Sequence, residues 1–159
     1  ELSTCHTQRP TRSHPRTGPE PENDHDLTQA LNGPVHLLGD FGPAAAAYAE
    51  RIREVMDHGD GWIRLRAAAA LWSITGEPQP TASVAEEYLL PVADRGGAFG
   101  TFLDALHILV GIGAISPAAR ATLRTVRASE RRLSHDRDYR AFLQDEEIRA
   151  AIDEVLALP

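Results

Sequence analysis

Seven histidines, His6, His14, His25, His36, His58, His107 and His135, are the side chains of this chain best suited to acid–base chemistry or metal ligation near neutral pH. None of them stands in an HExxH or comparable ligand spacing. His6, His14 and His25 fall in a polar N-terminal stretch, where they could form only a fortuitous weak metal site. His107 lies in an apolar helical run and reads as a hydrogen-bonded core or interface residue. Ser134-His135-Asp136 puts three triad residue types in a row, but a triad is assembled in space and adjacent residues cannot reach one another in that geometry. The run is read as a loop. Gly111-Ile112-Gly113 resembles a piece of a dinucleotide fingerprint, yet it follows a helical run where the fingerprint needs a strand. It is read as a helix C-terminus. The acidic pairs Glu86-Glu87, Glu146-Glu147 and Asp153-Glu154 point about 100° apart on a helix, so neither member can serve the other as acid and base. They are expected to solubilise the surface. No catalytic residue, metal site or cofactor is assigned.

Charge narrows the classes further. The net charge is −7, and all 16 basic residues are Arg. Without Lys, neither a P-loop nor a Schiff-base enzyme can be built. An acidic chain is poorly suited to non-specific nucleic-acid binding, which needs a clustered positive face. Arg127, Arg131, Arg132, Arg137 and Arg140 do cluster, but Glu130, Asp136 and Asp138 reduce the five positive charges to +2. The cluster is read as a solvated face. Cys5 is the only cysteine, so no intramolecular disulfide and no cysteine-based zinc cluster can form. No apolar run approaches the roughly 20 residues of a membrane helix, and no signal peptide is visible. The expectation is a cytoplasmic protein.

The elements that must position any site are helical. Residues 1–26 are Pro-rich and polar, and are expected to be a disordered tail. From Leu27 onward, apolar residues recur at helical spacing and no period-2 run appears. Pro43 to Met56 places Tyr48, Ile52, Val55 and Met56 on one stripe. Trp62 to Thr75 does the same with Trp62, Leu65, Ala69 and Trp72, and Gly76 follows at the C-cap. Phe99 to Ile112 stacks Phe99, Phe102, Leu106, Leu109 and Val110. Ser116-Pro117 is an N-cap followed by Pro at the first helical position, and opens a helix with Leu123 and Val126 inward. Asp145 is expected to cap a last helix whose inner face is Ile148, Ile152, Val155 and Leu156. Gly33-Pro34 should kink or start the first helix, and Pro91 should bend the helix it interrupts.

A period of 37 runs through this pattern. Gly39, Gly76 and Gly113 keep it, as do Pro43, Pro80 and Pro117. Val35, Trp72 and Leu109 are in phase, and so are Ile52, Leu89 and Val126. The repeat reads as a helical hairpin: a helix ends at Gly, a corner follows, and Pro starts the second helix. One hairpin cannot bury its apolar face alone, so neighbours must stack. The expected domain spans 27–158, with units at about 27–58, 60–95 and 97–130 and a terminal helix at 145–158.

Trp62-Ile63-Arg64 followed by Ala67 to Gly76, Leu38 to Ala45, and Asp145-Glu146-Glu147 resemble HEAT-like repeats of bacterial proteins from GC-rich genomes. The resemblance covers roughly 27–158 and implies an all-α superhelix of stacked hairpins with a C-terminal capping helix. It also implies a ladder in which an acidic turn residue, Asp57 or Asp60, pairs with Arg64. Gly33-Pro34, and Gly96-Gly97 in place of Gly59 and Asp60, depart from that pattern. The resemblance further implies that the second helices line a concave groove holding a protein or peptide. Outward positions there are Glu50, Arg53 and Glu54, carried by the 37-residue register onto Glu87, Leu90 and Pro91 and then Arg124, Arg127 and Ala128. The expected function is therefore a protein–protein interaction scaffold and not an enzyme. It is read as the C-terminal part of a longer protein, with Trp62 packed against upstream repeats. Two rivals remain open: an enzyme or accessory similar to the HEAT-like bilin lyases, and a nucleic-acid-binding HEAT protein.

Overall fold

A computed structural model of the chain describes residues 34–95, 100–134 and 139–159. The expected tail at 1–26 lies outside the described residues. Within them the chain is an all-α stack of helical hairpins, and no strand occurs among the described residues. Helix α1 covers residues 34–40, so the described part of the chain opens at Pro34, already helical. A 3-10 helix, Gly42–Tyr48, leads into α2, Ala49–His58. Then come α3, Gly61–Thr75, and α4, Pro78–Glu87. A short α5, Leu90–Arg95, precedes α6, Gly100–Ile112, and α7, Pro117–Ala128. The last helix is α8, Tyr139–Leu156.

Specific contacts fix how the helices run. Thr81, fully buried, donates its hydroxyl to the Ala68 carbonyl at 2.7 Å, and the Tyr88 hydroxyl donates to the Gly61 carbonyl at 2.7 Å. Residues 61 and 68 of α3 thus meet 88 and 81 in reverse order, which makes α3 and α4 an antiparallel hairpin. Trp62 lies against Gly100 and Trp72 against Gly111, so α3 and α6 run parallel. A Cβ at Gly100 would lie 2.6 Å from the Trp62 ring. Trp62 therefore packs onto the following unit. The α3 helix is the centre of the stack: Ile63, Leu65, Ala67, Ala68, Ala70, Leu71 and Ile74 are all buried. Its alanines let α2, α4 and α6 approach from different sides, and that is why a single-stripe reading of this helix failed.

The period of 37 is realised unevenly. Gly76 (φ 71°) and Gly113 (φ 73°) close α3 and α6 in the left-handed conformation, as expected. Gly39 instead lies inside α1, pressed against Ala70, and the positive φ at that corner belongs to Gly42. Ile52 of α2 and Val126 of α7 are buried, and so is Leu89, which falls in the turn after α4 and not within the second helix. Pro117 is the first residue of α7, and Ser116 caps it, accepting from the Ala119 N–H at 3.1 Å. In the second unit Pro78 opens α4 and Pro80 sits in its first turn. Pro91 acts as anticipated but from a distance. Its ring would clash with the carbonyl four residues back, and α4 ends at that residue, Glu87.

Two boundaries differ from the sequence reading. The expected helix Pro43 to Met56 is split, leaving Tyr48 at the joint and 55% exposed rather than on the inner stripe. The terminal helix starts at Tyr139, six residues before Asp145, so Asp145 lies inside the helix and is not its cap. Its inner face is nevertheless Ile148, Ala151, Ile152 and Val155, all buried.

Candidate functional site

The six proposed groove residues are on the second helices or their ends, but most are satisfied within the chain. Arg53 pairs with Glu50, and Arg51 with Glu54 at 2.6 Å, each along one face of α2. Such exposed pairs stabilise a helix by only about 0.3–0.5 kcal/mol. Glu87 accepts both terminal nitrogens of Arg64, at 2.5 and 3.0 Å. Arg127 reaches forward to Asp153 on α8 at 2.8 and 3.0 Å, and this bond holds the Asp153 carboxyl below its ordinary value. Arg124 alone among the six is exposed without a partner among the described residues. The set is thus mostly charge already paired within the chain, and Arg124 is its one open cation among the described residues.

The anticipated ladder is rearranged in the same way. Arg64 binds Glu87 across the α3–α4 hairpin and does not pair with Asp57 or Asp60. Asp60 occupies the N-cap of α3 and makes no side-chain cap hydrogen bond. The Arg64 Nε is buried and has no partner. Burial pushes the neighbouring Tyr88 phenol up, against the pull of Arg64.

One acidic pair expected to serve solubility, Glu86-Glu87, does structural work instead. While Glu87 holds Arg64, Glu86 accepts from both the N–H and the hydroxyl of Ser116, each at 2.7 Å. The two carboxylates diverge as neighbours on a helix must, and one ties α4 to the next corner. At the other end of the stack Arg120 gathers the carbonyls of Leu156, Leu158 and Pro159 at 2.9, 3.0 and 2.9 Å.

His107 is exposed on α6 and not in the core. His58 shares a hydrogen bond with the Glu54 carbonyl, and His36 lies 3.9 Å from Asp40. His6, His14, His25, His135, Asp136 and Arg137 lie outside the described residues, as do Phe99, Gly96 and Gly97. Among the described residues, no group of three His, Cys, Asp or Glu is placed to hold a metal ion. Gly111-Ile112-Gly113 closes α6, as the helical context required. A shallow cleft between α1 and α3 is lined by His36, Asp40, Arg66 and Ser73 over Ala69 and Ala70. There the Arg66 guanidinium lies 5.7 Å from the centroid of the Trp62 ring.

The feature that sequence reasoning missed is at the start of α8. Tyr139 is 79% exposed, Phe142 54% and Leu143 50%. Their spacing of three and four puts them together on two turns of helix, away from the buried Ala141 and Ile148. The spacing is visible in the sequence, but residues 133–144 do not follow the period of 37 that assigns the other helix faces. No helix among the described residues is long and apolar enough to cross a membrane. Against models of known protein families, characterised proteins and solved structures, the chain finds no match in any of the three comparisons.

Proposed function

We propose that this chain is a protein–protein interaction module, a HEAT-like stack that presents a docking surface and performs no chemistry of its own, working in the cytoplasm. The observation that carries this reading is the exposed apolar stripe of Tyr139, Phe142 and Leu143 on a helix whose opposite face is buried in the stack. Burying one such side chain contributes about 1.5–3 kcal/mol, so leaving three together in water is costly unless a partner covers them. The stack supports the reading, because rigid helical hairpins hold a short stripe in one orientation. The single cysteine, which permits no intramolecular disulfide, supports the compartment.

The test is affinity capture with the intact chain, compared with Phe142→Asp and with Arg124→Glu. A partner retained by Arg124→Glu but lost from Phe142→Asp supports the stripe. The reverse pattern moves the site to the charged second-helix face. A chain that captures nothing specific in either form contradicts the scaffold reading.

A further inference from the structure

The outer face of α8 carries more than the apolar stripe. Tyr139, Leu143, Glu146 and Ala150, spaced by four, three and four, form one line along the helix, and all are exposed. That line is opposite the buried Ala141, Ile148, Ile152 and Val155. Arg140 and Glu147, both exposed, flank it on one side, and Phe142 flanks it on the other. The face is therefore asymmetric along its length: Arg140 and the apolar residues stand toward the N-terminal end, Glu146 and Glu147 toward the C-terminal end.

We propose that a second copy of this chain docks on this face, α8 against α8 in antiparallel orientation, with the two-fold axis beside Leu143. This rests on the reading of the stripe as a docking surface and names its occupant. The face is complementary to itself only in that arrangement. Antiparallel pairing about Leu143 sets Leu143 against its symmetry mate and Phe142 against the mate's Phe142. It brings Arg140 opposite Glu147 of the other copy, twice by symmetry. Tyr139 meets the opposing Glu146, where its hydroxyl finds an acceptor. A parallel pair would instead oppose Arg140 to Arg140 and Glu147 to Glu147, like charges at close range. Arg140 already makes an interaction within its own chain, but a guanidinium has five N–H donors and can serve both. The shared face is only a few turns long. It falls below the roughly 1,200 Å² of standard interfaces, so the dimer is a weak one.

The experiment is sedimentation of the full chain from about 10 µM to about 1 mM, the range of weak interfaces. A monomer–dimer equilibrium is expected, and Leu143→Asp should raise its dissociation constant at least about tenfold. Leu143 is half exposed, so this variant should fold, and its melting curve checks that it does. Glu147→Arg should weaken the dimer, and adding Arg140→Glu should restore it. In a Cys5→Ser background, Leu143→Cys should form a disulfide across the axis under mild oxidation, and Ala150→Cys should not. A chain monomeric at about 1 mM overturns the proposal. So does a dimer indifferent to Leu143→Asp, or one that cross-links through Ala150→Cys instead. If the chain is monomeric while Phe142→Asp still abolishes capture of another protein, the second copy is excluded and the docking surface stands.

Discussion

Two junctions in this stack carry the same pair of residue types at the same spacing and use them oppositely. At the α2–α3 junction Asp60 and Arg64 are four apart, and at the α7–α8 junction Asp145 and Arg149 are four apart. Asp60 makes no side-chain cap bond, and Arg64 turns away to Glu87. Asp145 accepts from Arg149 at 2.8 Å and from the Leu133 N–H at 2.6 Å. Arg149 in turn holds the carbonyls of Arg127, Ser129 and Arg131 at 3.1, 3.2 and 2.9 Å. The cause is the length of the connection. Two residues link α2 to α3, and their backbone groups are absorbed by the helix ends. Ten residues link α7 to α8, and the backbone polar groups near α7's end need partners that helix geometry does not supply. The same Asp-to-Arg spacing is idle in one place and a clamp in the other, because only one place has a loop to clamp.

Removing the clamp should therefore produce the largest effect. Arg149→Met strips three carbonyls and a mostly buried carboxylate of their donor, with side-chain exposures of 21% and 18% for Arg149 and Asp145. A loss of about 2–3 kcal/mol is expected, read from urea unfolding. A loss under about 1 kcal/mol would mean that water replaces the guanidinium freely and that the clamp does not order the loop. The α2–α3 junction should break through its backbone instead. A Cβ at Gly59 would lie 2.5 Å from the Val55 carbonyl oxygen and 2.9 Å from Ile63. Gly59→Ala should cost about 2 kcal/mol in the same assay, since neither atom is the free end of a long side chain.

How much of this could be read beforehand follows the same division. Local chemistry was legible: the Ser116-Pro117 start of α7, the Gly76 and Gly113 ends, and the inner faces of α7 and α8 are all as the spacing required. Contacts between units were not. Trp62 and Trp72 share a stripe in the sequence, but only the fold shows that Gly100 and Gly111 make room for them. Glu86 and Glu87 looked like surface charge because their partners, Ser116 and Arg64, lie 30 and 23 residues away. The candidate site suffered most. A groove was placed by family-like register, yet register does not reveal which charges already neutralise one another, and Arg124 alone was left open.

The acid side of the stability curve tests the clamp through Asp145. Burial opposes the Asp145 charge, but the bonds from Arg149 and the Leu133 N–H outweigh it, and its pKa falls below the ordinary value. A carboxyl depressed in the folded state contributes stability above its unfolded pKa, about 4. That contribution is lost as pH falls through the lower folded value. Asp145→Asn should thus be less stable than the native chain by about 1 kcal/mol at neutral pH. The two should converge as the pH is lowered below the folded pKa. Parallel curves for Asp145→Asn and the native chain would show that its charge contributes nothing.

The smallest effect belongs to Arg64, and its sign is the informative part. Its pair with Glu87 joins a side chain 30% exposed to one 52% exposed, and such pairs contribute at most about 1 kcal/mol. Against that gain stands the buried Nε, a donor that lost its water without finding an acceptor. Arg64→Met keeps the aliphatic stem packed while removing both terms. The net change should lie within about 1 kcal/mol of zero and can be stabilising. A loss approaching that of Arg149→Met would mean that Arg64 orders the α3–α4 hairpin as Arg149 orders its loop. The contrast between the junctions would then be one of geometry and not of energy.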